Sequence, residues 1–384
     1  MAPFSFIPRL SKNYHTVMFD IGSASVGVAL ATHKKDKGVV IHFTHREPIK
    51  FGSDQSASAL GSYVAAAIKI AGTRAVDAAA DASKFGNDYS VHAITHAPWA
   101  SSRSLRADGV LSKEIKITRE ILQQFMAEHL PKTHTEGRVQ FDRHVTRIEL
   151  NEYATTEPYG KKANHIAMTV LESSMADTIY TAITNAFAEV FSDRETHMDA
   201  FLFAATQMNE LFEKSDTYTI VDVGGEYTSV SVITNGTVTE SVWASFGTEY
   251  LVRAVLDGAD EGRQSAISEL VMYIDNTCTP AQCRKLDSLL KKIEREWITA
   301  FGDACAKLSK THRIPTKTFI SIDKRFGPWF KQAVEHVDFG QFSVTGQPLK
   351  ARLLTLEAAN SRLTFKEPAK RDLMLSLGVL FVDK

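Results

Sequence analysis

Two segments of the chain, about two hundred residues apart, each place an aspartate next to glycine. Residues 16–23 read TVMFDIGS, and residues 219–225 read TIVDVGG. In each segment an apolar run ends on Asp, one apolar residue and Gly, and a second apolar run follows at 26–30 or 230–233. This pattern predicts two β-hairpins, each with a carboxylate at its turn.

The residues of these turns are suited to binding phosphate and a metal ion. Glycine lets backbone N–H groups approach phosphate oxygens, and a carboxylate can hold hydrated Mg²⁺. A single hairpin of this kind means little, because tight turns favour Asp and Gly in any case. Two copies, each opening one half of the chain, predict a duplicated fold whose facing turns clamp the phosphate tail of a nucleotide.

These segments resemble a known superfamily. Residues 20–23 resemble the first phosphate motif, and residues 222–228 the second, of the actin, DnaK-type chaperone and sugar-kinase superfamily. The middle of the chain resembles the small inserted subdomain of its FtsA/PilM branch, at residues 97–99, 108–109, 115–122, 151–153 and 158–160. The resemblance implies an α/β protein with a duplicated RNase H-like fold, two lobes and an inserted FtsA-type subdomain.

Predicted elements and the resemblance together divide the chain. Strands at 39–44 and 91–95, with an Ala-rich helix at 56–80 between them, give the element order of an RNase H-like unit. The predicted segments are the first part of lobe 1 (1–97), the insert (98–162), the rest of lobe 1 (163–210), lobe 2 (211–357, with a helical part at about 248–312) and a C-terminal helix returning to lobe 1 (358–384).

The resemblance also implies site residues and a ligand. The ligand is ATP (or ADP) with Mg²⁺, and Asp20 and Asp222 are expected to hold the metal. The residues expected to bind the nucleotide are Gly22, Ser23, Gly224, Gly225, Thr228, Gly247 and Asp323.

Departures from the family pattern argue against fast hydrolysis. The second motif lacks its third glycine and its terminal Asp, since residues 224–229 read GGEYTS. Family members have adjacent glycines that let the backbone lie under the adenosine, but here the side chains of residues 323–325 would crowd that position. Ala205 stands at the position where the family carries a Gln or Glu that orients the attacking water. Gln207 lies two positions further along the helix, and its side chain therefore points to a different face, which makes it a weak catalytic candidate. We expect at most a slow ATPase.

Composition excludes several classes of function. The chain has 384 residues, 44 basic against 45 acidic, so its net charge of −1 offers no field for nucleic acid. Three cysteines are too few for a disulfide framework, which favours a reducing cytoplasm. The scattered histidines, including His92, His96, His129 and His134, lack the spacing of a metal site.

The sequence offers two interpretations of its N-terminal segment. No apolar stretch is long enough to cross a bilayer. Residues 3–12 combine aromatic and basic side chains, which is typical either of weak contact with an anionic membrane or of a leader packed on the first strand. The predicted location is therefore cytoplasmic, with peripheral contact at the inner face of the membrane as an alternative.

Three functions fit the resemblance. The first is an ATP-binding scaffold that associates with itself as a filament or dimer and serves cell division or envelope assembly. The second is a PilM-like pilus-assembly adaptor that binds a short peptide. The third is a sugar or acid kinase, or a polyphosphate hydrolase, on the same fold.

Overall fold

The computed structural model describes residues 13–34, 38–81, 85, 88–131, 135–192, 194–208, 213–256 and 262–383. The N-terminal segment 3–12, with its predicted membrane contact, lies outside these residues. No helix in the described part of the chain is both long and apolar enough to cross a membrane.

The described residues form helices and strands, and the strands lie in three sheets. The strands are β1 Tyr14–Ile21, β2 Ser25–Lys34, β3 Gly38–Pro48, β4 Tyr89–Thr95, β5 Ser101–Lys116, β6 Arg138–Leu150, β7 Tyr153–Ala154, β8 Lys162–Ala176, β9 Thr196–Ala200, β10 Tyr218–Val223, β11 Thr228–Thr234, β12 Thr237–Ala244, β13 Lys317–Ile322, β14 Lys350–Leu353 and β15 Leu363–Phe365. The helices are α1 Ala57–Asp81, α2 Arg119–His129, α3 Asp177–Val190, α4 Phe201–Gln207, α5 Thr248–Leu256, α6 Arg263–Ile274, α7 Pro280–Ser309, α8 Gly327–His336 and α9 Leu373–Val382.

Two sheets repeat one arrangement. In the first, of order β15-β3-β2-β1-β4-β9, β1 pairs antiparallel with β2 and parallel with β4. In the second, of order β12-β11-β10-β13-β14, β10 pairs antiparallel with β11 and parallel with β13. The predicted duplicated fold is confirmed, and the two aspartate-bearing strands occupy the same place in the two sheets.

Each of these two sheets is covered on both faces, which explains why β1 and β10 are almost continuously buried. One face of the first sheet packs against α1 and α3. Helices α5 to α8 cover one face of the second sheet, with Trp297 and Phe301 at the centre of that core. Between the sheets, α4 and α9 contribute to a core that contains both Met18 of β1 and Ile220 of β10. The two halves therefore share buried surface.

A third sheet forms between the two repeats. Its order is β5-β8-β6-β7, and α2 packs on it through Leu122 and Phe125. Thr118 caps α2 with its side chain, at the helix entry that resembled the FtsA/PilM insert. Strand β8 pairs antiparallel with both β5 and β6 in this third sheet.

One disulfide joins Cys278 and Cys283 at the start of α7. The cysteine count did not predict this bond. It closes only a short loop and is a single link, so it does not constitute the framework that the sequence excluded. The predicted reducing compartment stays a prediction.

Candidate functional site

The two predicted metal-binding aspartates lie together. Asp20 precedes the last residue of β1, Asp222 precedes the last residue of β10, and they are 3% and 5% exposed. His96 lies between them: its Nε2 is 2.8 Å from Asp20 Oδ1, and its Nδ1 is 2.8 Å from Asp222 Oδ2. The structure thus links one carboxylate of each repeat through one imidazole ring.

The parallel pairing of β4 with β1 positions His96. Thr95, the last residue of β4, is in register with Ile21, and the next N–H, that of His96, donates to the Ile21 carbonyl at 3.1 Å. The imidazole ring stacks on Phe201 at the start of α4, with 4.3 Å between the ring centroids. Backbone pairing and stacking therefore fix the ring in the cleft.

The local charges keep His96 protonated. Burial alone would lower the pKa of His96, but Asp222 and Asp20 outweigh it and raise the pKa to about 10. Burial likewise opposes ionisation of Asp20, while Arg46 and His96 lower its pKa to about 2. At neutral pH an imidazolium therefore lies between two carboxylates.

The contact between His96 and Asp20 is an ion pair without hydrogen-bond alignment. Asp20 Oδ1 and His96 Nε2 are the buried side-chain atoms that lack a hydrogen-bond partner among the residues described. His96 Nδ1, by contrast, makes a hydrogen bond to Asp222 Oδ2. The ring is therefore anchored more firmly on the second repeat than on the first.

Arg46 of β3 supplies a second cation to Asp20. Its Nη2 donates to Asp20 Oδ2 at 2.8 Å, and its Nε and Nη2 donate to the Asp372 carboxylate at 2.9 and 3.0 Å. Asp372 also caps α9, because its side chain accepts the N–H of Leu375. Burial opposes the Arg46 charge, yet the two carboxylates raise its pKa above the ordinary value. The first hairpin is thereby tied to the C-terminal helix.

The turns of the two hairpins touch each other directly. Ser23 Oγ accepts the N–H of Glu226 at 2.9 Å. A Cβ on Gly224 would lie 2.9 Å from Ser23 Oγ, and one on Gly225 would overlap the Cβ of Ala24. These glycines are required here because the opposite turn fills the space that a side chain would take.

Gly247 packs against the back of the second turn. A Cβ on Gly247 would overlap the carbonyl oxygens of Gly224 and Gly225. The next two residues, Thr248 and Glu249, donate their N–H groups to those same carbonyls at 3.0 and 2.8 Å. The N-terminus of α5 therefore holds the second turn against the first.

Several predicted phosphate donors are engaged within the protein. The Gly22 N–H donates to the Ser25 carbonyl at 3.0 Å, and the Gly224 N–H donates to the Tyr227 carbonyl at 2.9 Å. The Thr228 hydroxyl donates to the Phe246 carbonyl at 2.6 Å. In this arrangement these groups close the turns rather than face a ligand.

The remaining predicted residues lie in different surroundings. Asp323 follows β13 and accepts from Arg325, the shortest contact being 2.6 Å. Gln207 is the half-buried last residue of α4. Ala205 is buried and lines a small apolar cavity together with His96. The position at which the resemblance predicts a water-orienting amide therefore carries a methyl group that lines this cavity.

The cavity that borders His96 and Asp222 is too small to hold Mg-ATP. The cavity beside His96 and Asp222 has a volume of about 50 Å³, whereas sites for ligands of this size measure about 300 Å³ or more. Three carboxylate oxygens of Asp20 and Asp222 already face His96 or Arg46. The assignment of ATP and Mg²⁺ to these residues stays a prediction that requires the turns to separate.

Sequence reasoning missed His96 and Arg46. His96 was discounted because its neighbours in sequence lack metal-ligand spacing. The signal that could have found it is topological: a polar residue directly follows the strand next to the Asp20 strand, at the carboxyl edge where ligands bind in α/β sheets. Arg46 has no comparable local signal.

This architecture is the actin-like ATPase fold. The chain is similar to PilM in the PilM-PilN type IV pilus biogenesis complex, with 11% sequence identity, a TM-score of 0.54 and coverage of 98% of each chain. PilM belongs to the branch that the insert resembled, so the predicted resemblance is confirmed at the level of the fold.

Other solved structures are also similar over most of the chain. The ethanolamine utilization protein EutJ from Carboxydothermus hydrogenoformans is 11% identical, with a TM-score of 0.45 and coverage of 99% of this chain and 92% of that one. Component A of (R)-2-hydroxyglutaryl-CoA dehydratase from Acidaminococcus fermentans is 11% identical, with a TM-score of 0.36 and coverage of 97% and 100%. No protein-family model and no curated protein matches the chain.

Removing the imidazolium should destabilise the protein. We expect His96→Gln to lower the free energy of unfolding by about 3 kcal/mol near neutral pH, because it leaves two buried carboxylates without their shared cation. The folded-state pKa of about 10 lies above the ordinary 6.5. The stabilisation should therefore be complete below about pH 6.5 and vanish as the pH rises through about 10. Urea unfolding of both proteins across this range measures the difference.

His92 on the same strand provides the control for this experiment. Burial lowers the pKa of His92 to about 3, so this ring is neutral in the folded protein. His92→Gln should alter stability mainly below pH 6.5, where the wild type loses stability on acidification. An equal pH profile for the two variants would contradict the assignment of charge to His96.

The contact between the turns should be sensitive to one methyl group. Gly225→Ala is expected to cost about 2 kcal/mol, because its Cβ overlaps Ala24. Ala24→Gly in the same chain should restore most of this loss. Gly262→Ala is the matched control, since no heavy atom lies within 4 Å of a Cβ at that position. Absence of rescue in the double variant would show that the turns do not touch. Thermal unfolding suffices for the comparison.

Proposed function

We propose that this protein is an actin-fold scaffold that acts through contacts with other proteins and hydrolyses ATP slowly or not at all. The observation that carries the proposal is the imidazolium of His96 between Asp20 and Asp222. These carboxylates would otherwise be available to a hydrated metal ion. Ala205 supports the same conclusion, because a methyl group cannot orient a water molecule for attack on phosphate.

A PilM-like adaptor is the form of this function that we favour. One similar solved structure, with a TM-score of 0.54, is that of PilM in the PilM-PilN complex. This chain carries exposed apolar side chains at one end of its third sheet, namely Val110 (74% exposed) and Tyr153 (79% exposed). Val110 is in register with His165, whereas Tyr153 shares a row with Ile166 and Leu150, so the two side chains leave opposite faces of the sheet. The preference for the adaptor therefore rests on the likeness to PilM.

The filament-forming scaffold is the second candidate. Head-to-tail association is heterologous and so can continue without closing. This candidate requires nucleotide to enter the cleft, and therefore requires the hairpin turns to separate. A link to cell division or to a membrane would depend on partners or on the N-terminal segment 3–12.

The test combines three measurements on the full chain with Mg-ATP. We expect phosphate release below about 10⁻³ s⁻¹, near the order of an unassisted GTPase. We also expect no heat of Mg-ATP binding in calorimetry and no ATP-dependent pellet after high-speed centrifugation. Asp222→Asn is the matched variant, because it removes the charge and preserves the size.

Each alternative gives a different result. If the protein binds Mg-ATP and pellets with it, if Asp222→Asn abolishes both effects, and if no turnover is seen, the filament-forming scaffold would replace the adaptor as the proposed function. Turnover of 1 s⁻¹ or faster, on the order of ordinary enzymes, that is lost in Asp222→Asn would contradict the proposal and favour the enzyme alternative.

A further inference from the structure

A second cluster of charged side chains lies where the third sheet meets the edge of the first. Asp142 and His144 belong to β6, and Asp199 belongs to β9. One possible ligand atom from each residue lies within 4.8 Å of the other two. None of the three residues takes part in the contacts around His96.

The local chain path brings these groups together. Asp142 and His144 are two positions apart on one strand, so both side chains leave the same face. The pairing of β6 with β8 shifts register on both sides of them, between Gln140 and Asp142 and between Val145 and Arg147. Such bulges bend a strand and re-aim its side chains. Here the bent strand reaches the end of β9.

One nitrogen atom faces two carboxylates. His144 Nε2 contacts Asp142 Oδ1 and lies 3.1 Å from Asp199 Oδ1. Nε2 makes a hydrogen bond to Asp199, and its single N–H cannot point at Asp142 at the same time. A nitrogen lone pair and two carboxylate oxygens that lie within 4.8 Å of one another are, in contrast, a suitable donor set for a divalent cation.

Neighbouring groups hold these side chains in position. The Ala200 N–H donates to Asp142 Oδ2 at 3.1 Å and leaves Oδ1 directed at His144. The His144 ring stacks on Phe203, with centroids 3.4 Å apart and planes within 4° of parallel. In metal sites, residues that do not bind the metal make contacts of this kind and thereby hold the ligand side chains in a fixed orientation.

We propose that Asp142, His144 and Asp199 bind one divalent transition-metal ion of the Zn²⁺ type and thereby fasten the inserted sheet to the first lobe. Imidazole favours Zn²⁺ and its neighbours over Mg²⁺ and Ca²⁺. Three protein ligands leave one tetrahedral position for water or another donor. The side chains of His144 and Asp199 are 16% and 18% exposed, so the ion can enter from solvent.

The competing interpretation is a plain ion triad with a protonated His144. Burial alone would lower the pKa of His144, but Asp142 and Asp199 raise it to about 9 in the metal-free protein. A metal ion must displace that proton, so binding should release protons and weaken at low pH. A triad without metal affinity would show neither effect.

The experiment is calorimetric titration of Zn²⁺ into the full chain after removal of metals by a chelator. We expect about one equivalent to bind, with proton release visible as a dependence of the heat on buffer. His144→Gln and Asp199→Asn should each weaken binding at least tenfold and abolish the Zn²⁺-dependent rise in melting temperature. The melting temperature without metal shows whether each variant folds, and Asp199→Asn is the milder change if His144→Gln does not fold.

A matched control separates this site from the other histidines. His165 pairs with Asp108 at 2.8 Å on the same inserted sheet, with side chains 24% and 47% exposed, and has no second carboxylate partner among the contacts described. His165→Gln should bind Zn²⁺ like the wild type. Absence of Zn²⁺ binding by the wild type, or equal binding in His144→Gln and the wild type, would overturn the proposal and leave an ion triad.

Discussion

The structure depends on the placement of one buried imidazolium between two carboxylates from different halves of the chain. The turns of the two hairpins face each other and bring Asp20 and Asp222 close together, with both residues almost fully buried. Two buried carboxylates cannot both stay ionised unless a cation is near. His96 supplies that cation from within the protein, and Arg46 supplies a second one to Asp20. The contact between the halves is thus balanced without any added ion.

Other features of the cleft follow from this charge balance. Because the carboxylates are drawn together, the turns approach closely enough that glycine is needed at 224 and 225. The Trp99 indole N–H donates to the Gly22 carbonyl at 2.8 Å, which holds the loop after β4 against the first turn. The same loop carries His96. A fold that resembles nucleotide-binding proteins therefore has its cleft filled by its own side chains.

Much of the fold could be predicted from the sequence. The apolar runs that end in Asp and Gly identified both hairpins, and their repetition identified the duplication. The predicted helix at 56–80 and strand at 91–95 correspond to α1 and β4. These elements are set by local periodicity, which one sequence reveals directly.

The partners within the site were beyond the reach of local patterns. Arg46 binds Asp372, which is separated from it by 326 positions, and His96 binds Asp222 across 126 positions. Such contacts depend on the register between strands that are far apart in the sequence, and a single sequence does not reveal that register. The same holds for Asp199, whose approach to Asp142 depends on bulges in β6. Sequence reasoning therefore found the carboxylates and missed the groups that neutralise them.

The most direct test of this account is the protonation state of the His96 ring, measured by ¹⁵N NMR of the histidine side chains. The His96 signals are assigned by their loss in a His96→Gln sample. The account predicts that both ring nitrogens carry protons at pH 7.5 and stay protonated until the pH approaches about 10. A neutral ring at pH 7.5, titrating near the ordinary value of about 6.5, would contradict it, because the two carboxylates would then lack the cation that joins the halves of the chain.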